Sequence, residues 1–280
     1  MTKQVQYQER FCLFLDILGF KEVVEQSASP KSGHSQVSHR PHAGTIYFGL
    51  KKIASSLNYK LMLVGTSGKK KPSSRVVTQF SDSVVVSYLV SETGGLADML
   101  YDVLHLQLEL IQRGLLIRGA ITQGLLHHDS DFVFGPALNE AAELEKLAMY
   151  PRVIIDRDLL SSAGITTSQI AKSSHSIFRD APSLVAQDLD GLFYVDYFNV
   201  HPEDFSEDWG GLSEYLIRLR EVIKTLSSKR HLSIRMKHSW LRQKFNAVAE
   251  ALERSGFRLL GPHPVPEDED GHINQVIPFR

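Results

Sequence analysis

The run Phe11-Cys12-Leu13-Phe14-Leu15-Asp16-Ile17-Leu18-Gly19-Phe20 opens on unbroken apolar residues, meets a carboxylate and then a glycine. A short continuous apolar stretch predicts a strand covered on both faces. Asp16 and Gly19 then predict the end of that strand and a turn, with a helix starting over Lys21–Gln26. A doubly covered strand must be central, so the rest of the chain has to supply its neighbours and two covering layers.

Ser27 to Gly44 is rich in Ser, Pro, Gly and His and reads as a loop; Ile46, Leu50, Ile53 and Leu57 recur at helical spacing over Thr45–Leu57. Gly65 to Ser74 reads as a polar loop with a solvated Lys69-Lys70-Lys71 tip. Arg75 to Val90 carries Val, Phe and Thr on both sides of Ser81-Asp82-Ser83, the pattern of a hairpin with Asp82 near its turn. Leu96–Gln112 is a long helix ended by Gly114, followed by strands at Leu115–Gly124 and Phe132–Phe134, a helix at Asn139–Met149 and a strand at Arg152–Asp156. A last strand is expected over Leu192–Phe198, and helices over Leu212–Thr225 and Lys237–Ser255. This order predicts an α+β fold, a ferredoxin-like core with a mostly antiparallel sheet. Residues 1–200 are expected to form the main domain. Residues 201–280 are expected to form a C-terminal helical appendage and an acidic, Pro-rich tail around Glu267–Asp270.

Of the 280 residues, 42% are hydrophobic and 22% charged, a composition able to bury a sizeable core. The net charge of -1, from 31 basic and 32 acidic residues, predicts no general attraction to nucleic acid or to an anionic membrane. Cys12 is the single cysteine and sits in an apolar strand, which excludes an intramolecular disulfide or thiolate-rich zinc site and predicts an inert core residue. Asp16 interrupts the N-terminal apolar run, which therefore does not read as a signal peptide, and no stretch reaches the ~20 apolar residues of a membrane span. A cytoplasmic location is expected.

Asp16 at a strand end, ahead of a Gly-containing turn into a helix, places a carboxylate beside free backbone N–H groups. Such a corner can hold a polyphosphate and the cation it brings; it can equally be a plain helix cap. Asp82 at the hairpin tip is open to the same two readings, as an Asx turn former or as a second metal ligand. If the tip lies beside the end of the first strand, the two carboxylates can share two hard cations, the arrangement of two-metal phosphoryl transfer.

Arg118-Gly119-Ala120-Ile121-Thr122-Gln123-Gly124 and Phe134-Gly135-Pro136-Ala137-Leu138-Asn139-Glu140-Ala141-Ala142-Glu143-Leu144 complete the pattern. The stretch around Asp16 resembles the F-x-D-I-x-G-F-t signature of class III nucleotidyl cyclases, and Phe80-Ser81-Asp82 resembles their G-D hairpin. The later blocks look like their R-x-G-I-x-x-G strand and G-x-x-V-N-x-A-x-R-l helix, in the same order over residues 10–156. The resemblance implies a cyclase catalytic domain that uses two divalent cations, Mn2+ or Mg2+, held by Asp16, Asp82 and the Ile17 carbonyl. It implies a phosphate cradle from the amides of Ile17, Leu18, Gly19 and Phe20, with Asn139 orienting the ribose and Arg118 near the site. The reaction implied is attack of the 3'-oxygen on the α-phosphorus with loss of pyrophosphate. A homodimer with shared active sites is part of the same implication.

Three departures bear on the substrate. Thr78 stands where adenylate cyclases carry their adenine-reading lysine, Phe132 where the paired aspartate would be, and Glu143 where the family has its transition-state arginine. Arg118 or Arg152 is then expected to supply the missing cation. With its divergent base pocket and the strand Pro151-Arg152-Val153-Ile154-Ile155-Asp156, the chain looks like the pyrimidine cyclases of bacterial Pycsar anti-phage systems, whose product is read by a separate effector protein. Phe132 and Tyr47 would suit a smaller base, so UTP, or alternatively CTP, is the expected substrate. A degenerate cyclase fold that binds a nucleotide and regulates without catalysis is the competing reading. His34, His39 and His42, and His127-His128-Asp129, are expected to be solvated loop residues rather than a zinc site.

Overall fold

The computed structural model describes residues 5–28, 43–57, 62–64, 70–173, 180–205, 211–227 and 231–254. The expected loop histidines His34, His39 and His42 and the acidic tail lie outside these residues.

The apolar run becomes β1, Gln8–Ile17. Cys12, Leu13 and Leu15 have no solvent exposure, so both faces of the strand are covered as its composition requires. Helices α1 (Phe20–Ala28) and α2 (Ala43–Leu57) follow, and then a separate small ribbon of β2 (Met62–Val64) and β3 (Lys70–Pro72). The ribbon occupies part of the stretch expected to be loop; backbone pairing of Met62 with Pro72 through Val64 with Lys70 organises it despite its polar second strand.

The hairpin expected around Asp82 forms from β4 (Val76–Phe80) and β5 (Ser83–Leu89). Helix α3 (Gly95–Ile111), the long strand β6 (Ile117–His128) and the short β7 (Val133–Phe134) come next. The chain continues through α4 (Pro136–Leu147), β8 (Val153–Ile155), two short helices α5 (Arg157–Ser162) and α6 (Thr167–Ser173), then β9 (Val185–Gln187), β10 (Phe193–Val195), α7 (Gly211–Ser227) and α8 (Leu232–Arg254). The main sheet runs β4-β5-β1-β6-β8-β10-β9, with β7 pairing β6. Its first four strands are the split β-α-β-β-α-β unit of a ferredoxin-like core. All pairs are antiparallel except β6 with β8.

Side chains alternate across the sheet. Leu13, Leu15, Val84, Val86 and Ile121 join α3, Ile53 of α2 and the apolar residues of α7 and α8 in one continuous core. The opposite face carries a smaller cluster, in which Cys12, Val85 and Leu126 meet Ala137 and Ala141 of α4. Residues of both C-terminal helices, among them Tyr215, Leu219, Trp240 and Phe245, are thus part of the main core.

At Gly119 the backbone of β6 has no room for a side chain against β1. A Cβ there would lie 2.5 Å from the Phe14 carbonyl oxygen and 3.0 Å from Leu15 Cα, backbone atoms that cannot swing aside. Gly119→Ala is expected to lower stability by about 1–3 kcal/mol, the usual range for overpacking, and urea unfolding monitored by circular dichroism measures it.

Candidate functional site

The sheet register brings the two sequence-identified carboxylates together. Asp16 is the cross-strand partner of Ser83 on one side and of Arg118 on the other. Phe80 pairs with Ser83, so Ser81 and Asp82 form a two-residue turn, with Ser81 in the left-handed region at φ 55°. A loop this short sets Asp82 beside the end of β1, where its carboxyl group acts on that of Asp16.

Burial, the neighbouring Asp82 carboxyl and the charge of Glu145 push the Asp16 carboxyl up to about 7, with Arg118 opposing them. A raised carboxyl beside a second one is stabilised by a shared proton or by a cation. Hard oxygen donors of this kind fit magnesium or manganese. Among the described residues no group of three or more His, Cys, Asp or Glu could by itself hold a metal ion. A cation at Asp16 and Asp82 would take its remaining ligands from carbonyl groups, water and phosphate oxygens, which suits an ion brought in by a nucleotide.

The expected phosphate cradle is narrower than the four amides from Ile17 to Phe20. Leu18 donates its N–H to the Leu116 carbonyl at 2.8 Å, because the chain keeps to the edge of β6 for one residue beyond β1. The first helical hydrogen bond of α1 runs from Val23 N to Gly19 O. Gly19, Phe20 and the next amides therefore stay outside the helical ladder at its positive end.

Arg118 lies on the site, with Nη2 3.9 Å from Asp16 Oδ2. Its Nε meets Glu145 as an ion pair that is not aligned as a hydrogen bond. Glu145 was not singled out in the sequence, although Ala137, Ala141 and Glu145 recur every four residues and form the buried face of α4. A carboxylate on an otherwise alanine face was the available signal. A second unanticipated cation comes from α8: burial and the charge of Arg118 hold the half-buried Lys237 ammonium below its ordinary range, while Glu22 acts against them.

Arg152 is elsewhere. Its side chain has no exposure and is spent on Asp188, Asp190 and the Ala148 carbonyl, with the guanidinium 5.1 Å from the Tyr150 ring centroid. It is corrected to a structural residue, since a guanidinium closed in by two carboxylates and three aromatic rings has no face for a substrate. Glu143 is exposed and pairs with Lys146 at 2.6 Å. Tyr47 sits on α2, beyond the sheet face opposite to that of Thr78. Gln79, which alternates with Thr78 along β4, reaches the Leu50 carbonyl of that helix. Tyr47 is therefore corrected out of the group around Thr78.

Thr78 belongs to the face that carries α4, and Asn139 lies on α4 itself. Thr78 Oγ1 lies 3.0 Å from Nε2 of His128, the last residue of β6. Phe132 follows in a turn where Asp129 Oδ1 accepts the amides of Asp131 and Phe132, and 69% of its surface is exposed. Asn139 is exposed near the start of α4, six residues and so ~9 Å of helix rise from Glu145. The site residues thus divide in one subunit between a carboxylate group around Asp16 and residues on the α4 side of the sheet, Thr78 with His128 and, on α4 itself, Asn139.

His127 and His128 are strand residues, not loop residues, because β7 pairs with both. Burial and Arg10 push the His128 imidazole down to about 4 from 6.5, with Asp129 opposing and His127 adding to the depression. A depressed pKa for a base means that its contribution is complete above 6.5 and is lost as pH falls toward 4. The urea midpoint of the wild type is expected to drop more steeply over that interval than that of His128→Gln. Cys12 is buried, and its thiol is pushed up to about 12 by burial, as an inert core residue would be.

No protein-family model matches the chain, and no curated protein matches it. Among solved structures it is similar to the adenylyl cyclase CyaB from P. aeruginosa, with 13% identity and a TM-score of 0.43 over 73% of this chain and all of that one. It is also similar to the catalytic core of a rhodopsin-guanylyl cyclase with converted specificity, solved in complex with ATPalphaS. There the identity is 13% and the TM-score 0.37, over 68% of this chain and 96% of that one. Likeness at this level assigns no activity. No helix among the described residues is long and apolar enough to cross a membrane.

Proposed function

We propose that this chain is a nucleotidyl cyclase that converts a pyrimidine nucleoside triphosphate, UTP before CTP, into its 3',5'-cyclic monophosphate and pyrophosphate. The observation that carries the reading is the Asp16–Asp82 pair, one carboxyl group at the end of β1 and the other in the adjoining hairpin turn, close enough for Asp82 to raise Asp16, beside the N-terminus of α1. Two divalent cations held there would acidify the ribose 3'-hydroxyl and neutralise the leaving pyrophosphate. Gly19 and Phe20 offer amides to the phosphates, and Arg118 and Lys237 lend positive charge to a corner otherwise dominated by Asp16, Asp82 and Glu145. Asn139 orients the ribose from the other group of residues, which in a head-to-tail homodimer belongs to the partner.

Thr78 and Phe132, in place of polar purine readers, favour the smaller base. A pyrimidine product further supports a role as an alarm signal in Pycsar-type anti-phage defence, read by a separate effector protein. The exposed, lysine-paired Glu143 favours a second reading, a non-catalytic nucleotide-binding regulator. Incubation with ATP, GTP, CTP and UTP in separate reactions with Mn2+ or Mg2+, with products identified by mass, tests both. Cyclic UMP is expected. Binding without any cyclic product would overturn catalysis in favour of the regulator.

A further inference from the structure

Lys237 lies on the stripe of α8 that faces the protein. Trp240, Leu241 and Lys244 follow it at three, four and seven positions, the spacing of one helix face. Trp240 and Leu241 are buried in the main core. Trp240 Nε1 donates to Asp188 Oδ2 at 2.6 Å, Lys244 Nζ lies 3.1 Å from Asp188 Oδ1, and the Trp240 ring stacks on Tyr150 with centroids 5.3 Å apart. These contacts fix the rotation of α8 about its axis. Lys237, about one turn ahead of Trp240, is thereby delivered half-buried to the neighbourhood of Arg118 at the start of β6.

Lys244 finds a carboxylate two turns further along the same stripe, but Lys237 does not: among the described residues no hydrogen bond or ion pair holds its ammonium. The charges that act on it are those of Arg118, a second cation, and of Glu22 in the first turn of α1. Arg118 already has Glu145 and, with Nη2 at 3.9 Å, Asp16. A half-buried ammonium set beside a guanidinium, with no carboxylate of its own, costs stability. The core contacts of α8 thus hold a positive charge where the folded chain alone does not satisfy it. An anion with several oxygens, anchored by cations at Asp16 and Asp82, would lie against Arg118 and would meet this charge.

We infer that Lys237 is a substrate-binding residue that holds the phosphate chain of the nucleotide, so that α8, a C-terminal helix, supplies part of the site. The identity of the anion rests on the cyclase reading. The ammonium acts as a point charge on the phosphate oxygens and stays with the pyrophosphate as it leaves. Because it touches phosphate and not the base, its effect is the same for every nucleotide. Trp240, Lys244 and Asp188 are positioning residues that act through the placement of α8.

The test combines isothermal titration with inorganic pyrophosphate and kcat/KM for ATP, GTP, CTP and UTP, both in Mn2+ or Mg2+. The wild type is compared with Lys237→Met, Lys237→Gln, Lys237→Arg and Lys224→Met, the last a lysine of α7 that pairs with Glu221. Lys237→Met and Lys237→Gln should each weaken pyrophosphate binding by ~10-fold or more, the value of one hydrogen bond to a charged group. They should lower kcat/KM by a similar factor for whichever nucleotides are turned over, without changing the order of preference among them. Lys237→Arg keeps the charge and should restore both quantities toward the wild type, and Lys224→Met should leave both unchanged. The melting temperature of Lys237→Met without ligand should equal or exceed that of the wild type, because the repulsion from Arg118 is removed. Pyrophosphate affinity within about twofold of the wild type in both neutral variants, a loss confined to one base, an equal loss in Lys224→Met, or a lowered melting temperature, the mark of a structural lysine, would overturn the inference. If the wild type cyclises no nucleotide, the cyclase reading falls and the titration decides the inference: pyrophosphate bound in a way that depends on the charge at 237 upholds it, and no pyrophosphate binding overturns it.

Discussion

Asp16→Ala and Asp82→Ala should each reduce cyclic nucleotide formation by on the order of 10³-fold or more, because on the proposed reading each removes a ligand from cations that supply several kcal/mol of transition-state stabilisation. The fold should survive both changes. Asp16 is half-buried at the end of β1 and Asp82 sits in a two-residue turn, and neither side chain contributes to the apolar core. Removing Asp82 also relieves the crowding that raises Asp16, so in chelator the melting temperature of Asp82→Ala should equal or exceed that of the wild type. Activity by mass-resolved product and melting by circular dichroism measure the two halves of the expectation. More than about 5% residual turnover in either variant, well above the loss expected for a metal ligand, would show that the pair does not hold the catalytic cations.

Mixing inactive variants should restore activity. Within one subunit Asp16 lies near Glu145, at the far end of α4 from the exposed Asn139, and the helix between them is packed on the sheet and cannot swing. One nucleotide contacting both is more easily accommodated between two chains related by a two-fold axis, each lending one group of residues. Asp16→Ala and Asn139→Ala homodimers should then both be inactive. A mixed dimer holds one doubly damaged site and one intact site, so it should recover about half the wild-type rate per dimer. Differential tags and tandem purification establish that mixed dimers are present. Their inactivity would place the whole site within a single subunit.

The central strand, the hairpin at Asp82, the long helix before Gly114 and the two C-terminal helices were legible because each is a local pattern: an apolar run, a polar break between β-formers, an apolar periodicity. Short elements were not. Three residues each of β9 and β10 carry too little periodicity to stand out, so β9 was missed and β10 is shorter than the strand expected there. The six residues of α5 show themselves only through Asp156, which caps the helix by accepting the Leu159 amide. Asp16 and Asp82 were legible as candidates because a carboxylate at a strand end or a hairpin tip is conspicuous in sequence. Their proximity was not, since it depends on β1 lying next to β5.

Arg152 and His128 mark the boundary most clearly. Arg152 looked free to serve as a catalytic cation, but Asp188 and Asp190 arrive from 36 and 38 residues further along the chain and close around it. His128 looked like a solvated loop residue, but β7 holds it in the sheet, and Ser87 of β5, itself bound by Arg10 of β1, meets its ring there. What the sequence determined by itself was the set of elements and the kinds of groups they carry, because those depend on neighbours within a few positions. Which carboxyl groups lie side by side, which arginine is spent in the core and which histidine is buried in the sheet were decided only in the tertiary structure, because partners far apart in the chain meet there, and burial forces each polar group to pair with whichever of them lies within reach.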